Sequence, residues 1–225
     1  MNIIILGPQG SGKGTQAKLL SEKLGLIYLE MGQILREIST QKTSLGEKVG
    51  NFLNRGVLVD DQIMAEILKN YLTKENFEKG ILLDGFPRNL NQANLLEEIL
   101  KNHQAEINKV IFLNISPEES IRRLTARRIC PKCGRNFNLL TVPPKKENLC
   151  DDCGVQLVRR DDENETVIKE RLKVYQEETT PVINYFRQRG ILLEINGEQS
   201  VEDIHQEILK KIAYLKNKVL PQAGS

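Results

Sequence analysis

Gly7-Pro8-Gln9-Gly10-Ser11-Gly12-Lys13-Gly14-Thr15 sets two glycines and a lysine in the order Gly7-x4-Gly12-Lys13, between an apolar run and a stretch of helical character. Glycines there free the backbone to wrap its N–H groups around an anion. The start of a helix adds positive potential, and the lysine ammonium reaches the terminal phosphates. The spacing is that of a P-loop, except that Gly14 intervenes and the hydroxyl, on Thr15, comes one position late. The plain alternative is a glycine-rich turn with an incidental lysine, which leaves its place at the head of a strand–helix unit unexplained. Gly10, Ser11, Gly12, Lys13, Gly14 and Thr15 are therefore expected to hold the phosphates of a nucleoside triphosphate.

A second constellation is Cys130-Pro-Lys-Cys133 and Cys150-Asp-Asp-Cys153, a CxxC-x16-CxxC pattern with Gly134 and Gly154 after each pair. Two such knuckles can set four thiolates tetrahedrally around Zn²⁺ and leave no open coordination position, which makes the expected site structural. A pair of disulfides, unliganded thiols or an iron–sulfur cluster are the alternatives. The surrounding segment carries few apolar residues, so metal would supply much of its folding energy.

These residues need a scaffold. Short β-branched runs at Asn2–Leu6, Leu26–Leu29, Ile81–Asp84, Val110–Ile115 and Ile191–Ile195 read as strands. Helical periodicity separates them, as in Ile63, Ile67, Leu68 and Tyr71, or Val201, Ile204, Ile208, Ile212 and Leu215. Ser116-Pro117-Glu118-Glu119 and Ser200 with Asp203 signal helix starts. The alternation predicts an α/β fold, a P-loop-containing parallel sheet sandwiched by helices. Two stretches interrupt it. One is a helical insertion at 30–59, punctuated by Gly46, Gly50 and Gly56. The other is the cysteine module at 127–163. Residues 1–29, 60–126 and 164–215 would form the core, and 216–225 a disordered tail.

Gly12-Lys13-Gly14-Thr15-Gln16, with Asp84-Gly85-Phe86-Pro87-Arg88 behind a buried strand, then Gln92, Arg123, Arg127, Arg160 and Arg171, resembles the nucleoside monophosphate kinases. Within them the chain looks like the adenylate kinase branch with a long, zinc-binding lid. The resemblance spans nearly the whole chain and implies Mg²⁺-dependent transfer of the terminal phosphoryl group of ATP to AMP, giving two ADP. It makes 30–59 an AMP-binding region and 127–163 the lid. Arg36, Arg88, Arg160 and Arg171 would hold the AMP phosphate, and Gln92 would read adenine. Met31, Val57, Leu58, Val59, Gly85, Phe86 and Pro87 would line that pocket. Arg123, Arg127, Asn136, Phe137 and Gln199 would join the P-loop on the ATP side, with Asp84 orienting Mg²⁺ through its water shell. Lys13, Asp84, Arg88, Arg123, Arg160 and Arg171 form the implied catalytic set. ATP and AMP bring roughly six negative charges together, and arginine's planar fork suits phosphate. The chain departs from the family at Glu30-Met31, where a small hydroxylated residue is usual. It departs again at Arg159-Arg160-Asp161-Asp162-Glu163, where doubled charges leave the hinge roles divided among neighbours.

The bulk composition limits the rest. The 225 residues are 40% hydrophobic and 28% charged, with a net charge of +2 and no Trp, which argues against a whole-surface nucleic-acid or membrane binder. No apolar run approaches the ~18 residues of a membrane span. Asn2–Leu6 runs straight into Gly7 and does not read as a signal peptide. A reducing compartment, the cytoplasm, is the expectation, with a monomer as the state the resemblance implies. One rival is a related kinase acting on UMP, CMP or GMP. Another is a nucleic-acid-binding zinc ribbon, since residues 122–160 hold ten Lys/Arg against three Asp/Glu. Phe137 is that segment's one aromatic, too few for base stacking. His103 and His205 read as surface residues.

Overall fold

The computed structural model describes residues 1–159 and 165–219. The chain runs β1 (Ile3–Leu6), α1 (Lys13–Leu24), β2 (Ile27–Glu30), α2 (Met31–Ser39), α3 (Ser44–Arg55), α4 (Asp61–Tyr71), α5 (Lys74–Lys79), β3 (Ile81–Asp84) and α6 (Leu90–Asn102). It continues with β4 (Lys109–Asn114), α7 (Pro117–Thr125), β5 (Arg127–Ile129), β6 (Asn136–Asn138) and α8 (Glu165–Val174). A π-helical turn, Tyr175–Thr179, leads to α9 (Thr180–Gln188), β7 (Leu192–Asn196) and α10 (Val201–Val219). The five long strands form one parallel sheet in the order β2-β3-β1-β4-β7, and β5 and β6 form a small antiparallel pair.

Strands covered on both faces carry apolar residues at every position, and β1 is Ile3-Ile4-Ile5-Leu6, all buried. Alternation sends Ile3 and Ile5 to one face, where they pack with Ala17 and Leu20 of α1 and Ile204 and Ile208 of α10. Ile4 and Leu6 face the other way, toward Leu68, Leu96, Val182 and Phe186. The order in which strands are added switches sides beside β1, since β3 lies on one side and β4 on the other, all parallel. The crevice at the carboxyl ends of such strands is where open α/β sheets bind ligands.

The predicted helix starts are present: Ser116 Oγ accepts from the N–H of Glu119 at 3.3 Å and Ser200 Oγ from that of Asp203 at 3.1 Å. The insertion at 30–59 differs from its expected punctuation. Gly46 and Gly50 lie inside α3, and Gly56 alone ends a helix. A Cβ at Gly46 would sit 2.2 Å from the carbonyl oxygen of Gln41, so this glycine exists for the tight packing of α3 on the end of α2. Of the expected tail at 216–225, residues 216–219 belong to α10, which runs to Val219, and 220–225 lie outside the described residues. His205 is buried on α10 rather than at the surface. No helix among the described residues is long and apolar enough to cross a membrane.

Candidate functional site

The loop after β1 turns at Gly10 (φ 83°) and Gly12 (φ 88°), left-handed conformations that glycine adopts without strain, and Gly12 caps α1. The helix therefore points its free N–H groups at the crevice beside β1. Lys13 folds back over the loop and donates to the carbonyls of Gly7 (2.7 Å) and Pro8 (2.8 Å). Burial lowers its pKa to about 8; Asp84 opposes that shift, while Arg88 and Arg127 reinforce it. Lys13 thus lies within electrostatic reach of two of the expected arginines.

Asp84 ends β3 directly beside Glu30, which ends β2, because the two strands pair in register there. Tyr28, two residues before Glu30 and so on the same face, reaches up between them. Its hydroxyl is 3.2 Å from Asp84 Oδ2 and 3.2 Å from Glu30 Oε2, with one proton to share. Burial lifts the Asp84 carboxyl to about 6 against the pull of Lys13, and the Glu30 charge adds to the lift. Glu30 Oε1 in turn pairs with Arg36 Nη2 at 3.1 Å. Beside the departure at Glu30-Met31, where Met31 offers no hydroxyl, the Glu30 carboxylate thus engages a predicted phosphate arginine.

An open cleft lies against this edge, lined by Gly7, Gln9, Lys13, Gly56, Leu58, Gly85, Pro87, Arg88, Arg171, Val174, Tyr175 and Thr179. It brings Lys13, Arg88 and Arg171 to one space from three separate elements. Arg88 is held by its Nε on the Gly85 carbonyl at 2.8 Å, and the Arg88 carbonyl accepts from Thr179 Oγ1 at 2.9 Å. The π-helical turn thus braces the 85–88 loop, a common use of such turns at functional sites. Gln9 Oε1, Ser11 Oγ and Tyr175 Oη are buried near the loop and cleft with no hydrogen-bond partner among the described residues.

Other expected residues are placed differently. Arg123 is buried behind the P-loop. Its Nε lies 2.5 Å from Glu119 Oε1, and its Nη1 donates to the Gly197 carbonyl at 2.9 Å. Met31, Phe86 and Phe137 are fully buried, the first two in the main core and the third in the cysteine module, so their positions could meet a nucleotide through main chain. Phe137 carries the Arg135 guanidinium 4.9 Å above its ring. Asn136 is exposed at the start of β6, and Gln199 is exposed and bonded to Glu207 at 3.1 Å. Val57 and Leu58 are half-buried and Val59 buried; Gln92 is 2% exposed. Gly14 packs over Asp84, Thr15 is exposed on the first turn of α1, and Arg127 opens β5. Arg160, Asp161, Asp162 and Glu163 lie outside the described residues.

The four cysteine sulfurs lie within 4.8 Å of one another, Cys133 and Cys150 at 3.7 Å, and none is in a disulfide. A tetrahedral zinc with bonds near 2.3 Å needs sulfurs about 3.8 Å apart, so the module fits the ion. Among the described residues its core is small: Cys130, Phe137, Cys150 and Leu157, with Cys153 and Val155 packed against them.

Tyr28 and Thr179 escape a reading by motif. Strand alternation could have set Tyr28 beside Glu30, but their nearness to Asp84 depends on which strands are neighbours. Against known proteins, a profile of the adenylate kinase family matches residues 5–191. The adenylate kinase of Kosmotoga olearia is 43% identical over 215 residues, 96% of this chain and 100% of that one. That of Archaeoglobus fulgidus is 44% identical over 92% of this chain and 96% of its own, and that of Thermotoga maritima 42% over 94% and 97%. With the P-loop, the 84–88 loop, Arg88 and Arg171 meeting at one sheet edge, and likeness running nearly end to end, the chain belongs to the adenylate kinase family.

Proposed function

We propose that the chain catalyses reversible in-line transfer of the terminal phosphoryl group of MgATP to AMP, giving two ADP. The observation that carries this reading is the meeting of Lys13, Arg88 and Arg171 on one cleft beside the P-loop, in a chain of this family. Phosphoryl transfer asks for position and positive charge rather than a covalent intermediate, and these residues supply both. Incoming phosphates give Lys13 a stronger partner than the Gly7 and Pro8 carbonyls and restore its full charge. The P-loop N–H groups of residues 10–15 take the β-phosphate, and Asp84 orients the water shell of the magnesium that arrives with ATP.

On the acceptor side Arg36, Arg88, Arg160 and Arg171 bind the AMP phosphate, Val57, Leu58 and Val59 line the pocket, and Gln92 reads the base. Residues 30–59 close over AMP and 127–163 over ATP, excluding water from the transferring group. Cys130, Cys133, Cys150 and Cys153 hold Zn²⁺, which gives the second of these segments its rigidity. The enzyme works as a cytoplasmic monomer and binds neither nucleic acid nor membrane. A coupled assay of ATP consumption across AMP, CMP, UMP and GMP tests the reading: turnover should require AMP. Equal ATP turnover with and without AMP would overturn it.

A further inference from the structure

Gln92 is buried on the first turn of α6, and both ends of its amide are engaged. Its Oε1 accepts from the main-chain N–H of Arg88 at 2.9 Å, and its Nε2 donates to Asp61 Oδ1 at 3.0 Å. Both partners have fixed polarity, since a main-chain N–H can only donate and a carboxylate can only accept. Asp61 is itself anchored: Asn89 Nδ2 donates to the same Oδ1 at 3.2 Å, while Asn89 Oδ1 caps α6 by accepting from the Gln92 N–H at 2.8 Å. The neighbouring Asp60 has a separate task, capping α4 through the N–H groups of Gln62 and Ile63.

We propose that Asp61 is a specificity-determining positioning residue, which fixes the Gln92 amide in the one orientation that accepts a 6-aminopurine and rejects a 6-oxopurine. The proposal rests on the reading above that Gln92 meets the acceptor base. With those partners in place, Gln92 keeps one lone pair on Oε1 and one hydrogen on Nε2. The adenine edge offers a hydrogen on N6 and a lone pair on N1, the complement of both. The hypoxanthine edge offers O6 as acceptor and N1–H as donor. In the same pose it sets oxygen against oxygen and hydrogen against hydrogen. Turning the amide over would relieve that clash only by setting Nε2 against the Arg88 N–H and Oε1 against the Asp61 carboxylate. Gln92 is shielded from bulk water, so mismatched groups there have no solvent to turn to, the condition under which hydrogen-bond selection is sharpest.

The test compares AMP with IMP as acceptor, with MgATP as donor, in wild type, Asp61→Asn and Gln92→Ala. IMP differs from AMP only at the edge in question. Asparagine can offer Gln92 either an oxygen or an NH₂ group and so permits the turned-over amide. Asp61→Asn should reduce the AMP:IMP ratio of kcat/KM about tenfold or more, through a lower KM for IMP and a higher KM for AMP, with the KM for MgATP unmoved. A merely structural role would weaken both acceptors alike, and an unchanged ratio would overturn the proposal. If the ratio collapses in Gln92→Ala but not in Asp61→Asn, the base reading stands and the positioning role of Asp61 falls. If Gln92→Ala leaves the ratio intact, both fall. Asp61→Ser, which removes the carboxylate but suits the first turn of a helix, makes the same comparison should Asp61→Asn fail to fold.

Discussion

Replacing Glu119 with glutamine keeps its volume and removes its charge. Glu119 holds two arginines: Arg122 by Nε and Nη2 at 2.6 and 2.8 Å, and Arg123 by Nε at 2.5 Å. The two arms differ in worth, because Arg122 is 54% exposed and Arg123 7%. An exposed pair contributes about 0–1 kcal/mol. A buried charge stripped of its partner costs about 3–5 kcal/mol. Arg123 retains the Gly197 carbonyl at 2.9 Å, and the new amide oxygen can still accept, so a cost somewhat below that range, about 2–3 kcal/mol, is expected. Urea denaturation should show a lower midpoint with an unchanged slope. The damage should reach the P-loop, because Ser120 Oγ on the same helix donates to the Gln9 carbonyl at 2.5 Å and Arg123 approaches that of Gly10 at 3.5 Å. A raised KM for MgATP is the functional sign. The Arg122 guanidinium, with Arg123 beside it, holds the Glu119 carboxyl down to about 2 from 4.5. A depressed folded-state pKa stabilises above the unfolded value, and that stability is lost as pH falls through the folded one. The difference between wild type and variant should therefore hold at pH 5 and shrink toward pH 2. If Glu119→Gln costs no more than Arg122→Ala, the carbonyls alone satisfy Arg123 and the reasoning fails.

Three further outcomes are expected. Cys130→Ser/Cys133→Ser should release zinc and lose hydrogen-exchange protection across roughly 127–158 while the strands around Ile4, Leu82 and Phe112 stay protected; uniform loss would refute the division. In the free enzyme, kcat/KM for MgATP should fall below about pH 6 as Asp84 protonates and above about pH 8 as Lys13 loses its proton. Glu30→Gln, which removes a charge that raises the Asp84 pKa, should move the acid limb to lower pH, and an unmoved limb contradicts the Tyr28–Glu30–Asp84 arrangement. Arg88→Ala should lower kcat/KM by roughly 10²-fold or more, and Arg88→Lys should recover only part of it, because an ammonium cannot reproduce the planar fork; full activity in the lysine variant would exclude the assigned geometry.

Elements whose cause is local can be read straight off the chain. The P-loop and the two CxxC knuckles depend on backbone turns a few residues long. The central strands β1 and β3 are legible because strands covered on both faces are largely apolar, and Ser116 and Ser200 cap helices through N–H groups three residues away. Partnership between distant polar side chains was decided by tertiary structure alone. Tyr28 and Asp84 are 56 residues apart and meet only because β2 lies beside β3 rather than beside β1. Arg123 is legible as a cation, yet only the tertiary fold sets the Gly197 carbonyl, 74 residues away, against its Nη1 and buries it behind the P-loop. Gly46 reads as punctuation until α3 is seen to press on the end of α2, and Gln92 reads as a base contact without any sign that Asp61 holds its other edge. Crossover connections put such residues together. A side chain's charge and shape are written at its own position, but its neighbours are set by how the strands are ordered.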